Sequence, residues 1–437
     1  MFESALPIIQ ILQSNGFQGF VAGGAVRDML LGKEPKDIDI VTDATPDQIE
    51  ALFTRTYAVG KAFGVIHVHQ GDQTFEVATF RSDSGYSDGR RPDFVTFSTA
   101  KEDAIRRDFT INGMFYDPIA EKLYDFVEGE KDLKEGVIRF IGDPETRVQE
   151  DSLRLLRAVR LAHQIQGQYE PSTYAAVKKH AGLVTRVSWE RIRDELNKLI
   201  LLPTRAEGFE DMQDLGLLAH VLPEIEAMKG VAQPKMYHRE GSVWAHAMRA
   251  IRTLSGERAE DLRLLWATLL HDVGKPKTFA IEERIRFDKH AEVSATMANE
   301  ILNRLRFPKK DIEAICWAVE HHMSLFHLLE KDADELMKRR WFTHPYFPLL
   351  LEVHRADAAG TLPPDYHSYN ELYKLYMETM EKIPTELPKI ISGEEIQEVF
   401  KVEGKAIGDM LAQIKDQQLL GNVSTKEEAL TFLRNIQ

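Results

Sequence analysis

Cysteine is almost missing from this 437-residue chain: Cys316 stands alone, so no internal disulfide can staple the fold. It lies in an apolar helical stretch, where a buried structural thiol is expected rather than a catalyst. No run approaches the roughly 18 consecutive apolar residues that cross a bilayer, which argues against a membrane partner. The opening MFESALPIIQILQSNG has neither a basic n-region nor a small-residue cleavage site, so no secretory signal is expected and the cytoplasm is the default. Excess positive charge is missing too. A formal net charge of −14 disfavours a long, sequence-independent grip on a polyanion, because counterion release needs clustered Lys and Arg. A compact RNA read by its shape stays compatible with it. Repeats, low-complexity tracts and a basic tail are absent as well.

What is present describes a globular enzyme-sized chain, with 43% apolar and 28% charged residues and a length suited to about three domains of roughly 150 residues each. Up to about residue 140, short β-like runs alternate with helical ones. Phe17 to Ala22 reads as a strand, Gly23-Gly24 as a turn, and Ala25 to Leu31 as a helix stopped by Gly32. Asp37 to Val41 reads as the next strand, followed by a helix with Thr45 as N-cap and Pro46 at its first position. Val65 to His69, Thr74 to Phe80 and Phe94 to Phe97 add strands. Beyond about 145 strand signals cease and amphipathic helices take over, beginning with EDSLRLLRAVRLA and VSWERIRDELNKLI. The expected fold is α+β: a head with a mixed sheet, then an all-helical remainder. Ten of the fifteen histidines fall between His220 and His354, marking a separate helical module, and the Pro-rich LPPDYH and IPTELPK set off a C-terminal tail. The expected boundaries are 1–140, 141–215, 216–365 and 366–437.

In KDIDIVT, Asp37 and Asp39 stand two apart, so on a pleated strand both carboxylates share a face. Such a pair repels itself unless a cation joins it, and hard oxygen ligands suit Mg²⁺, which can activate a hydroxyl and neutralise triphosphate charge. An exposed strand face accounts for an isolated D-x-D equally well. Upstream, however, Gly23-Gly24 hands a strand to a helix carrying Arg27 and Asp28, which gathers free backbone N–H groups and a guanidinium into a phosphate cradle.

This constellation resembles the signature of the DNA polymerase β-like nucleotidyltransferases, and GGAVRDMLLGKEPKDIDIVT closely resembles the class II tRNA nucleotidyltransferase and bacterial poly(A) polymerase family. RRDFTINGM resembles the family's second motif, in which Arg107 and Asp108 would touch the incoming nucleotide and its ribose; the usual alanine is replaced by Gly113. Glu76, on the TFEVATF strand, is a candidate third acid, although a solvated strand Glu would read the same.

EDSLRLLRAVR sets Asp151, Arg154, Arg157 and Arg160 three apart, roughly one turn from each other on a helix. An ion-paired surface helix would show this pattern. So would a base reader: cytosine and adenine both offer an amino donor beside a ring-nitrogen acceptor, so a carboxylate from Asp151 and a guanidinium from Arg154 would select them without a template. The segment resembles the family's EDxxR motif, with Arg157 and Arg160 as further nucleotide contacts. VSWERIRDEL, around Glu190 and Arg191, resembles the following motif and is expected to brace the reading helix. RSDSGYSDGRRPDFVTF, from Arg81, resembles the flexible loop by which family members switch from adding C to adding A.

His246, His271-Asp272 in LLHDVGK, His290, His321-His322 and Asp357 in HRADAAG follow in an order that resembles the HD phosphohydrolase domain. The resemblance implies His246, His271, Asp272 and Asp357 as ligands of a divalent metal, with His290, His321 and His322 serving a second metal or a phosphate. The alternative is a relic that only helps hold RNA.

The resemblance implies transfer of CMP and AMP from CTP and ATP to a tRNA 3′ end, with pyrophosphate released, Mg²⁺ as cofactor and tRNA as partner. A-only addition and poly(A) synthesis are the alternatives within the family. Outside it stand an HD-type phosphohydrolase that uses the head to bind RNA, and a non-catalytic RNA-binding protein.

Overall fold

The structure, a computed structural model, describes residues 1–58, 60–85, 94–234, 239–384 and 387–436. It divides into two compact units, Met1–Pro223 and Glu224–Gln437. No described helix is long and apolar enough to cross a membrane.

The first unit opens with α1 (Leu6–Ser14), whose buried Ile8, Ile9 and Leu12 face the sheet. The sheet has seven strands in the order β3-β4-β5-β2-β1-β8-β9. Here β1 is Gly19–Ala22, β2 Asp39–Thr42, β3 Thr56–Tyr57, β4 Val65–Gln70, β5 Gln73–Thr79, β8 Met114–Asp117 and β9 Lys122–Asp125. All neighbours run antiparallel except β2 and β5, where Ile40 lies opposite Val77, so the sheet is mixed as expected. α2 (Gly24–Leu30) leaves β1 through the glycine turn, and α3 (Pro46–Leu52) starts at a Thr45–Gln48 capping box. Such a cap satisfies two N–H groups that the first turn would otherwise leave unpaired. One face of the sheet packs around Phe20, Val41, Phe80, Ala104 and Phe115, the last two brought by α4 (Ala100–Ile105) and β8.

β6 (Arg81–Ser84) and β7 (Phe94–Phe97) pair as a separate hairpin. Arg81 therefore begins a strand, not the loop expected there, and residues 86–93 of that stretch lie outside the described residues. Next come α5 (Gly129–Glu135), α6 (Pro144–Glu150), α7 (Arg154–Ile165), α8 (Pro171–Lys179), α9 (Trp189–Ile200) and α10 (Arg205–Asp214). Strand pairing does not stop at 145: Val137–Ile138 pairs in parallel with Gln168–Tyr169, and Ala280–Ile281 pairs with Ile285–Arg286 in the second unit.

Among its described residues the second unit is otherwise helical. The helices Val243–Arg252, His290–Arg304 and Phe347–Gly360 carry His246, His290 and Asp357, while His271 and His322 cap the ends of Leu262–Leu270 and Lys309–His321. A smaller cluster of Ile391, Ile396, Ile414, Val423, Ala429 and Leu433 forms the core of the C-terminal helices.

Candidate functional site

β1 ends at Ala22, opposite Asp39, because Gly23 turns away at φ 67° and ψ −129°. Nothing remains to pair with Asp37, which sits in a bend before β2. The expected single strand carrying both acids is thus shortened to Asp39 alone. β5 supplies compensation. With Ile40 opposite Val77 in parallel register, Asp39 and Glu76 stand level on neighbouring strands. Desolvation and the charge of Glu76 push the Asp39 carboxyl above the usual range, Asp37 adds to this, and Arg107 opposes it. Three mutually repelling carboxylates at one strand end fit a divalent cation. Among the described residues they do not close into a three-ligand group within 4.8 Å; the groups that do so lie in the second unit.

The guanidinium nearest the glycine turn is Arg107, whose Nη1 would lie 3.1 Å from a Cβ on Gly23. Arg27 is buried and spends its donors within the fold, on Asp28 Oδ1 at 2.7 and 2.9 Å and Asn112 Oδ1 at 2.8 Å. Arg107 is aimed by Asp103, which accepts from its Nη2 at 3.1 Å and from its Nε at 3.2 Å, while Phe115 lies beneath it. Asp103 also accepts from Arg106 at 2.6 Å and from the Arg81 N–H at 3.2 Å. Burial alone would raise its carboxyl pKa, but Arg107 and Arg106 hold it below the ordinary value. Sequence reading passed over Asp103; its spacing of three and four before the Arg pair was the available signal.

EDSLRLLRAVR is not one helix. α6 closes at Glu150, Asp151 is extended at φ −145° and ψ 103°, and α7 starts at Arg154. Arg191 of α9 grips the Asp151 carboxylate at 2.7 and 3.2 Å, and the Leu153 N–H donates to it at 3.0 Å. One acceptor position on Oδ2 is left. Arg154 Nη1 donates to Arg147 O at 2.8 Å and to Glu150 Oε2 at 2.6 Å. Arg191 therefore braces the segment as its motif implies.

Arg157 and Arg160 face inward. Asp108 accepts from Arg157 Nε at 2.6 Å, Arg157 lies 3.7 Å from Glu195, and Glu195 accepts from Arg160 Nε at 2.5 Å. Burial opposes the ionised form of Asp108, but Arg157, Arg154 and the Phe109 N–H draw its pKa down to about 2. Glu195 is a second buried acid that sequence reading missed.

A third missed element is GEKDLKEGVIRFIGDP. Asp132 accepts from Thr110 Oγ1 at 2.7 Å and Arg139 Nε at 3.0 Å, while Phe109 stacks on Phe140 at 4.6 Å. A Cβ on Gly129 would meet Thr110 O at 2.2 Å, so only glycine lets α5 approach the RRDFTIN turn. Gly113 is explained similarly: a Cβ there would meet Val127 at 2.7 Å and Ile141 at 2.9 Å.

In the second unit the histidines sort into two groups, His246 with His271 and Asp357, and Asp272 with His290 and His322. Within each group the ligand atoms lie within 4.8 Å of one another. His321 is in neither; it packs between Trp317 and Trp341. His271 Nε2 and Asp272 Oδ1 are buried without a hydrogen-bond partner, the state expected of atoms that could bind a cation. His271, His290 and His322 each give Nδ1–H to the carbonyl three residues back, at 2.7, 2.8 and 2.7 Å, which leaves Nε2 as the candidate ligand atom, those of His290 and His322 lying 3.2 Å apart. Burial and its imidazole neighbours push His322 down to about 3. His246 differs: burial would lower it, but Asp357 and Glu240 raise it to about 9. A Cβ on Gly274 would meet Ser294 N at 2.6 Å, so this glycine sets the approach that brings Asp272 to His290. Each donor set, imidazole nitrogens beside a carboxylate, could hold a divalent cation.

An acid-bearing strand beside a glycine turn and a paired Arg–Asp motif is the arrangement of a nucleotidyltransferase head, and the comparisons agree. Residues 19–139 match the poly A polymerase head domain, 168–229 the probable RNA and SrmB-binding site of polymerase A, and 242–358 the HD domain. The A-adding tRNA nucleotidyltransferase of Deinococcus radiodurans is 33% identical over 433 residues, covering 95% of this chain and 94% of that one. The chain belongs to the class II tRNA nucleotidyltransferase and poly(A) polymerase family. The CCA-adding enzyme of Bacillus subtilis is 40% identical over 63% of this chain and 65% of its own length. That of Lactobacillus helveticus is 39% identical over 53% and 58%; the chain thus spans little more than half the length of such relatives. The Bacillus stearothermophilus CCA-adding enzyme in complex with CTP superposes with a TM-score of 0.73 at 25% identity, over 100% of this chain and 98% of that one.

Proposed function

We propose that this chain completes the tRNA 3′ end, transferring CMP and AMP from CTP and ATP with release of pyrophosphate, without a nucleic-acid template and in the cytoplasm. The observation that carries the reading is the Asp39 strand end, where Glu76 and Asp37 crowd a carboxylate beside Arg107. Asp37 and Asp39, with Glu76, would hold Mg²⁺, which when bound supplies activation of the terminal hydroxyl and charge neutralisation of the triphosphate. The Gly23-Gly24 turn and Arg107 cradle phosphate, and Arg27 supports that turn from within. Asp108, held by Arg157, faces the ribose side, while Arg160 sets the neck behind it. The open Oδ2 position of Asp151 accepts an amino group and Arg154 donates to the adjacent ring nitrogen, which selects C and A. In this reading residues 1–140 are the head, 141–215 the base-reading neck, 216–365 the HD-type region and 366–437 a tail that contacts tRNA.

Offering tRNAs that end before CCA, after C and after CC, with each nucleotide separately, tests it. Stepwise addition of C, C and A is expected with Mg²⁺. A-addition confined to the CC end is the competing outcome, favoured by the end-to-end similarity to an A-adding relative.

The two three-ligand groups support a second reading, that the HD-type region binds two divalent cations and hydrolyses phosphoesters. Hydrolysis that persists in Asp39→Ala and is lost in His271→Ala would establish it.

A further inference from the structure

The two ligand groups of the HD-type region are not equivalent, and the difference lies in residues behind them. Three imidazoles are backed by neutral backbone carbonyls. His246 alone is backed by a carboxylate: its Nδ1 meets Glu240 Oε1 at 3.0 Å, and its Nε2 faces Asp357 Oδ1 at 2.9 Å. The Glu240 side chain is 1% exposed, and its Oε2 accepts the Leu362 N–H at 3.1 Å, so its position is fixed from both ends. A carboxylate behind an imidazole raises the basicity of the opposite nitrogen and holds the ring to one orientation. The other group carries the opposite bias. Lys275 Nζ, itself buried, lies 2.6 Å from Asp272 Oδ2 and is held there by Gln233 Oε1 at 2.8 Å. A fixed ammonium on a ligand carboxylate repels an incoming cation and competes for its lone pairs.

We infer that Glu240 is a positioning residue which makes the His246–His271–Asp357 group the tighter of two unequal cation sites, while Lys275 weakens the Asp272–His290–His322 group. The inference rests on the two-cation reading of this region. Glu240 touches no cation; it acts through His246. Occupancy of the tighter site is thereby tied to the turn after Gly360, whose Leu362 N–H holds Glu240, and to Gly360 itself, where a Cβ would lie 3.0 Å from the His246 ring.

The test uses the full chain carrying Asp37→Ala and Asp39→Ala, which removes the paired head acids, stripped with EDTA and titrated with Co²⁺ by visible absorption and calorimetry. Two steps of different affinity are expected. Glu240→Gln should weaken the tighter step by about 10- to 100-fold and spare the looser one. Lys275→Met should strengthen the looser step, and His322→Ala should remove it. Metal-free melting curves check that each variant is folded, and the Lys275 arm tests the ranking even if Glu240 variants do not fold. An unchanged tighter step in folded Glu240→Gln, or loss of the tighter step in His322→Ala, overturns the inference alone. Absence of any Co²⁺ binding by the unsubstituted HD-type region overturns the two-cation reading beneath it.

Discussion

Asp108 Oδ2 accepts the Arg157 Nε–H at 2.6 Å across 49 residues of sequence, joining the turn after α4 to the neck helix α7. The pair is at once a brace and a pH-dependent stability element. Asp108 has a folded pKa of about 2 against an ordinary 3.8. A depressed carboxylate stabilises the fold above its unfolded pKa and loses that contribution as pH falls through the folded value. The contribution at neutral pH is on the order of 2 kcal/mol. In Arg157→Met this contribution should be lost, so the variant is less stable at neutral pH and its stability falls less steeply than the unsubstituted protein's as pH drops from about 4 to 2, read by urea unfolding between about pH 2 and 6. An acid limb as steep as that of the unsubstituted protein would dissociate Arg157 from the Asp108 shift.

Arg191 holds Asp151 through two nitrogens, a geometry that lysine cannot reproduce. Arg191→Ala and Arg191→Lys should therefore both raise KM for CTP and ATP, and both should admit U or G more often. Full recovery of selectivity in the lysine variant would contradict a bidentate role. Nearest-neighbour analysis of extended tRNA supplies the count.

Asp39 is raised by desolvation, then by Glu76 and Asp37. Removing the Glu76 charge lowers the cost of ionising Asp39, so in metal-free Glu76→Gln its carboxyl should titrate at lower pH. Carboxyl carbon shifts in labelled protein give the measurement, and an unmoved titration would separate the two acids.

Gly113→Ala should cost about 1 to 3 kcal/mol, because a methyl group is forced against Val127 and Ile141. Adding Val127→Ala should return part of that loss, seen as a recovered urea midpoint. If the double substitution is merely additive, contact with Val127 is not the cause.

The short motifs were legible because they are local. Gly23-Gly24, Arg107–Asp108 and the histidine order could all be read without a fold. What escaped depended on partners distant in sequence. The strand end before Asp39 is set by where Gly23 releases β1. The break at Asp151 has no proline or glycine to announce it; its carboxylate is gripped by Arg191, 40 residues away. Asp103, Glu195 and Glu240 look like ordinary surface acids in the sequence and become buried only through what packs over them. His321 and His322 illustrate the limit differently. Consecutive residues on a helix point about 100° apart, so only one could join the cluster, and sequence order does not say which.

Asp28, Arg27, Asp108, Arg157, Glu195 and Arg160, with Asn112 between Arg27 and Asp108, form a run of three acids and three arginines. Its charge sums to nothing, and Arg27, Glu195 and Arg160 are buried. Mobile ions screen such a run weakly, whereas phosphate contacts on an open surface weaken steeply with ionic strength. This run should thus keep its register in concentrated salt that would release the RNA of the proposed function, so that ionic strength separates substrate grip from enzyme architecture.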